Sequence, residues 1–224
     1  MSLLDNPAWN ALSTTHASLA EGNEFAKRYP VDVYPLAATR DQSAESYESL
    51  AQLVGPGGTT ELTLASVPDV PVGWNVARVV PCRQMVWNIA ELPPVTPTVE
   101  DLNISHVHEM LPLAELTRLD GLRRRSHELG SYLGIREAGQ LVAMAGEALR
   151  IRGYTEIGSV CTHPDHRGRG HASSLIAALI QKITKRNETP FLHVRAENVK
   201  AIRLYEKLGF KTRRTIDFVI VKRE

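Results

Sequence analysis

Glu156-Ile-Gly-Ser-Val-Cys-Thr-His-Pro-Asp-His-Arg-Gly-Arg-Gly-His-Ala172 is the stretch from which the rest of the chain can be read. Ile157, Val160 and Cys161 are apolar and β-tolerant, so it begins as a strand. Pro164-Asp165 cannot continue a ladder. Arg167-Gly-Arg-Gly170 follows, and then Leu175, Ile176, Leu179, Ile180 and Ile183 recur at helical spacing. A strand therefore runs into a glycine-bearing loop that opens a helix.

That arrangement makes an anion site. The first turn of a helix has backbone N–H groups without intrahelical partners, and the macrodipole adds partial positive charge there. Gly168 and Gly170 let the backbone approach a bulky guest, while Arg167 and Arg169 add full charge. Diphosphate is the natural guest. A Walker loop would need Lys-Ser or Lys-Thr directly after its glycines, and neither pair follows Gly168 or Gly170. Gly168-x-Gly170-x-x-Ser173 is only a degraded dinucleotide fingerprint.

The better match is Arg-x-x-Gly-x-Ala, read as Arg167, Gly170 and Ala172, preceded by Val160, Pro164 and Arg167-Gly168. This pattern resembles the acyl-CoA pyrophosphate loop of the GNAT (general N-acetyltransferase) superfamily. A second block agrees with it. Phe191–Val194 reads as a strand, Asn198–Leu208 as a helix, Gly209 as its C-cap and Phe210–Val221 as a final strand. Asn198-x-x-Ala201-x-x-x-Tyr205-x-x-x-Gly209-Phe210 resembles the second GNAT motif. The resemblance covers the C-terminal half and implies an α/β (α+β) fold, a mixed and mostly antiparallel sheet flanked by helices.

The chain has 224 residues, 43% hydrophobic and 23% charged, with net charge +1, which is ordinary for a soluble globular protein and gives no push toward nucleic acid. Cys82 and Cys161 are the only cysteines and read as reduced thiols. The start lacks a basic n-region and an apolar h-region, and no long apolar run follows, so a cytoplasmic location is expected.

In the N-terminal part, Pro7–Leu19 reads as a helix with Asn6 as N-cap, and His16 on it as a packing or surface residue. Ser43–Leu53 reads as a second helix, Glu61–Ala65 as a strand, and Val76–Val80 and Gln84–Ala90 as two strands separated by Pro81. Leu92-Pro-Pro-Val-Thr-Pro97 is the expected boundary between an N-terminal lobe, residues 1–95, and a GNAT domain, residues 96–224. The lobe offers no catalytic constellation. A diverged copy of the C-terminal fold, a wall of the acceptor site and a stabilising lobe are all open to it.

Val99–Leu102 should begin the second part, and Ser105–Leu119 is helical but interrupted near Pro112. His106-x-His108-Glu109 lacks the further ligands a zinc site needs, and no metal is expected. Gly121–Ser126 reads as a loop, either a solvated turn or a wall of the substrate or CoA entrance. Ser131–Arg136 and Gln140–Arg150 alternate around Ala138-Gly139, a hairpin signal.

The resemblance implies acetyl-CoA as co-substrate and a primary amine, of a small molecule or a protein, as acceptor in direct transfer. It implies Tyr205 as the acid that protonates the leaving thiolate and Glu156 as the base, with Glu147 and His193 as fallback bases. The backbone of Val160, Cys161 and Thr162 would pair with the pantetheine amides as an added strand, with Cys161 a wall residue. Arg167, Gly168, Arg169, Gly170, His171 and Ala172 would hold the pyrophosphate, and Asn198 the pantetheine arm, besides capping its helix. His163, His166 and His171 read as polar residues near phosphate rather than a metal or relay site. Two other readings are weighed: a non-catalytic acyl-CoA-binding regulatory module, and a nicotinamide- or nucleotide-binding protein, which the antiparallel strands before the loop disfavour. Neither membrane nor nucleic acid is an expected partner, and a homodimer is left open.

Overall fold

Asn6 accepts a hydrogen bond from the Trp9 N–H at 3.3 Å and so starts the first helix, α1 (Pro7–Ser13), with proline in its opening turn. This computed structural model describes residues 2–67, 69–89 and 99–224. The expected helix to Leu19 ends early, leaving a single 3-10 turn over Ala17–Leu19. The buried His16 takes the chain inward, with Nδ1 2.8 Å from the Tyr29 hydroxyl. β1 (Glu21–Gly22), β2 (Ala26–Arg28) and β3 (Ala37–Thr39) form a small antiparallel sheet. α2 (Ala44–Val54) is capped by Ser43 and ends at Gly55, whose φ of 76° favours glycine.

β4 (Thr59–Leu64) leads to β5 (Trp74–Trp87), one long strand where the sequence suggests two. Pro81 does not break it, for a geometric reason. Its carbonyl accepts from the Ala196 N–H at 2.8 Å, so the missing N–H points the same way, just past the end of the neighbouring strand. The proline-rich 92–97 segment lies outside the described residues. β6 (Val99–Leu102) precedes α3 (Val107–Thr117), which runs through Pro112 without interruption. Pro112 lies on the exposed side, and the carbonyl it deprives belongs to the exposed His108, where water can serve instead. Met110, Leu113 and Ala114 bury the other face.

β7 (Tyr132–Glu137) and β8 (Gln140–Ile151) meet at a turn in which Ala138 and Gly139 both have positive φ, 49° and 83°. β9 (Tyr154–Thr162), α4 (His171–Thr184), β10 (Thr189–Arg195), α5 (Val199–Lys207) and β11 (Phe210–Arg223) complete the chain. The main sheet has eight strands in the order β4-β11-β5-β10-β9-β8-β7-β6. β9 and β10 pair in parallel and every other neighbouring pair is antiparallel, the mixed and mostly antiparallel sheet expected. Strands from both sides of residues 92–97 share it.

Alternation along β10 divides the two faces. Leu192 and Val194 join the core under α4 and α5, with Leu175, Ile176, Leu179, Ile180 and Ile202. Phe191 points the other way, to α1 and Leu4, Leu12 and Tyr29. α3 covers β7 and β8 through Met110, Leu113, Tyr132 and Met144, and α2 covers β4 and β11 through Tyr47, Leu50, Leu62 and Val219.

Candidate active site

β9 and β10 stay paired only over Tyr154–Glu156 and Thr189–Phe191. Beyond that, β9 follows β8 to Thr162 while β10 follows β5 to Arg195, so the two strands part. Irregularities in the β8–β9 ladder accompany the parting, and Ser159 has φ of 53°. The free edge of β9 at Val160, Cys161 and Thr162 lines a cavity of about 640 Å³. Unpaired strand edges can accept an extended, amide-bearing guest.

One end of this cavity is the glycine-bearing loop singled out in the sequence. Gly168 and Gly170 have φ of 79° and 84°, conformations that L side chains rarely adopt, and a Cβ at either would meet nothing within 4 Å. They are glycines for their backbone, and the space above them is open. Gly170 is the N-cap of α4, with no side chain capping the first turn. Arg167, His171 and Ala172 line the same cavity, but Arg169 does not. Its guanidinium bonds Glu137 at 2.5 Å and the Asp165 carbonyl at 3.3 Å.

Glu137, at the end of β7, also meets His166 Nδ1 and His171 Nε2, each at 2.8 Å. The His166 bond, with Arg169 and His171 beside it, holds its carboxyl below the usual carboxylate range. These two histidines and Glu137 bring ligand atoms within 4.8 Å of one another, close enough for a metal ion. The carboxylate already serves three donors here, and the cluster ties the glycine-bearing loop to the β7–β8 hairpin.

Across the cavity, Asn198 caps α5 by accepting from the Ala201 N–H at 3.1 Å. Tyr205 projects from the buried face of α5, its ring edge-on to Phe210 at 6.1 Å. Burial pushes its hydroxyl up to about 12. Burial likewise pushes the Cys161 thiol up to about 11, which keeps it neutral and makes it a wall rather than a nucleophile.

Glu156 lies in a second cleft, of about 530 Å³, where the strands part. Its Oε1 is 2.8 Å from His193 Nδ1, while Oε2 is buried with no hydrogen-bond partner among the described residues. Glu147, the fallback carboxylate, is elsewhere: it accepts from Arg186 at 2.8 Å and from the Ser131 N–H at 3.3 Å. Arg123 and Gly121 from the basic loop line this cleft, so that loop is a wall of it. So do Tyr34, Glu61 and Arg78, none of which sequence reasoning singled out. Burial, with the Asp120 charge, raises the Glu61 carboxyl to about 7. Its signal in the sequence was thin, one acid at the start of an alternating strand. Strand pairing reveals more: Ile220 sits opposite both Glu61 and Arg78, which puts the three in a row on one face.

The family model described as FR47-like protein matches residues 132–219. Acetyltransferases of Yersinia pestis (strain Pestoides F) and Yersinia enterocolitica are each 46% identical to the chain over 56 residues. That match covers 24% of this chain and 39% of theirs, so the chain spans about two fifths of the length of these curated relatives. A crystal structure from Novosphingobium aromaticivorans DSM 12444, of a protein assigned to the acetyltransferases of the GNAT family, is similar at TM-score 0.92 and 33% identity, covering 100% of both chains. A GCN5-related N-acetyltransferase from Kribbella flavida shares the fold at TM-score 0.62 and 17% identity, over 97% of this chain and 95% of that one. Among the described residues no helix is long and apolar enough to cross a membrane.

Proposed function

The chain belongs to the GNAT family of acetyltransferases, and from that premise we propose that it transfers an acetyl group from acetyl-CoA directly to a primary amine of a small molecule or a protein. The observation that carries this reading is a pair of clefts lined by consecutive residues of β9, Gly158–Ser159 and Val160–Thr162, where β9 and β10 part. One offers a strand edge and an anion-binding helix start, the other a buried carboxylate oxygen without a partner among the described residues.

The residues present suit acetyl-CoA, which supplies an activated thioester when bound. The β9 edge at Val160–Thr162 offers backbone groups to the amides of the pantetheine arm, and a donor there polarises the thioester carbonyl. Gly168 and Gly170 keep the loop backbone open to the pyrophosphate, His171 and Ala172 offer it first-turn N–H groups of α4, and Arg167 adds charge. Arg169 serves indirectly, through Glu137, by holding the loop in shape. Asn198 orders the start of α5 and faces the arm.

Glu156 Oε2 takes a proton from the substrate ammonium, freeing the neutral amine to attack the thioester carbonyl; this oxygen is buried and has no hydrogen-bond partner among the described residues. Tyr205 supplies a proton to the leaving thiolate, and burial keeps its hydroxyl protonated at neutral pH for that purpose. Holding both substrates in adjoining clefts contributes through proximity. In this reading the N-terminal lobe walls the acceptor cleft, through Tyr34, Glu61 and Arg78.

The test is thiol release from acetyl-CoA with a panel of amino acids, polyamines, amine antibiotics and peptide N-termini, with products identified by mass spectrometry. At least one acetylated amine is expected, with turnover reduced about 100- to 10,000-fold in Glu156→Gln. Acetyl-CoA binding with no acetylated product across the panel would favour the non-catalytic binding module.

A further inference from the structure

We propose that His193 is a positioning residue for Glu156, held in one tautomer by a hydrogen-bonded chain that begins on the N-terminal segment. This rests on the reading of Glu156 as the acceptor-side base. The tautomer follows from donors and acceptors alone. Arg213 can only donate, so the Gln84 side-chain oxygen must be the atom facing it, at 2.7 Å. The Gln84 amide nitrogen then faces the Leu4 carbonyl at 2.9 Å and His193 Nε2 at 3.0 Å. A carbonyl can only accept, so the two partners fix the amide orientation independently.

An amide nitrogen can only donate, and His193 Nε2 must therefore be bare. The ring keeps its proton on Nδ1 and donates it to Glu156 Oε1 at 2.8 Å. An imidazolium would set N–H against N–H at Gln84, so His193 is neither the base nor a proton carrier in this arrangement. Phe191 and Phe218 hold the ring edge-on at 5.7 Å and 5.2 Å. Arg213 is fixed in turn by Asp5 at 2.6 Å. Asp5 and Leu4, about 150 residues from Glu156 in sequence, thus fix the tautomer of the imidazole that donates to Glu156 Oε1.

Imidazole nitrogen NMR on the labelled full chain reads this directly. His193 should show a protonated Nδ1 and a bare Nε2. The opposite tautomer, or an imidazolium at neutral pH, would overturn the proposal. Kinetics supply the second arm. His193→Phe should lower kcat roughly 10- to 100-fold, the range for a hydrogen bond to a charged group, with the KM for acetyl-CoA unchanged within about twofold. His193→Asn, whose amide N–H takes the place of Nδ1–H, should restore most of that loss. Equal losses in both variants, with CoA affinity and thermal stability intact, would refute positioning. Glu156→Gln separates the two readings: full turnover in it would sink the base assignment itself. Loss of turnover in Glu156→Gln with none in His193→Phe would sink the positioning role alone.

Discussion

Replacing Tyr205 by Phe removes one hydroxyl from a well-defined place. The residue is 8% exposed, its ring packs edge-on against Phe210, and the hydroxyl has no hydrogen-bond partner among the described residues. Phenylalanine fills the same volume, so stability should change by less than about 1 kcal/mol. For a chain of this size that is a Tm shift under about 4 °C. Burial holds the hydroxyl up to about 12, so it remains a proton donor through the neutral range and should cause no fall in kcat below about pH 11. If Tyr205 protonates the leaving thiolate, its loss should cost about 100- to 10,000-fold in kcat. That corresponds to about 2.7–5.4 kcal/mol of barrier. The assay is thiol release at saturating acetyl-CoA and amine, beside calorimetric titration of CoA, whose Kd should not move. A kcat within about threefold of the native value, with CoA affinity preserved, would remove Tyr205 from the chemistry and leave it as a packing residue.

Gly170→Glu should weaken acetyl-CoA binding at least about 100-fold, since it adds like charge at the phosphates to a backbone with φ of 84°. Gly170→Ala isolates the backbone effect, and retained affinity in the Glu variant would show that the loop is not the phosphate cradle. Glu61 should make stability pH-dependent. Its folded value, about 7, lies above the ordinary 4.5, so the folded state binds more protons between those values. The stabilisation is complete below about pH 4.5 and disappears as pH rises through about 7, amounting to about 3 kcal/mol. Denaturant titrations from pH 4.5 to 8 should show this slope, and Glu61→Gln should flatten it; an unchanged slope would contradict the burial argument.

Local signals carried the C-terminal half. The turn at Ala138-Gly139, the helical spacing of Leu175 to Ile183 and the Asn198 cap each specify their element within a few residues, and the structure reproduces them. Pro81 and Pro112 misled, because the harm of a proline depends on which way the missing N–H points and on whether the orphaned carbonyl is wet. Neither property is local to the sequence. The phosphate loop was readable for the same reason as the helix it opens. The second cleft was readable only in part: Glu156 and the Gly121–Ser126 loop stood out, but Glu61 and Arg78 come from other strands and join them only in the folded sheet. The chain from Asp5 through Arg213 and Gln84 to His193 joins residues far apart in sequence, and no periodicity announces it.

Thermal-shift titration with acetyl-CoA, CoA and NAD tests the central claim most directly. A ligand at about 100 times its Kd stabilises the folded state by roughly 2.7 kcal/mol. For a chain of this size that should raise Tm by about 5–10 °C. Both CoA species should produce the rise and NAD should not. A shift with NAD alone, or none with either CoA species, would contradict the assignment of the β9–α4 cavity to acetyl-CoA.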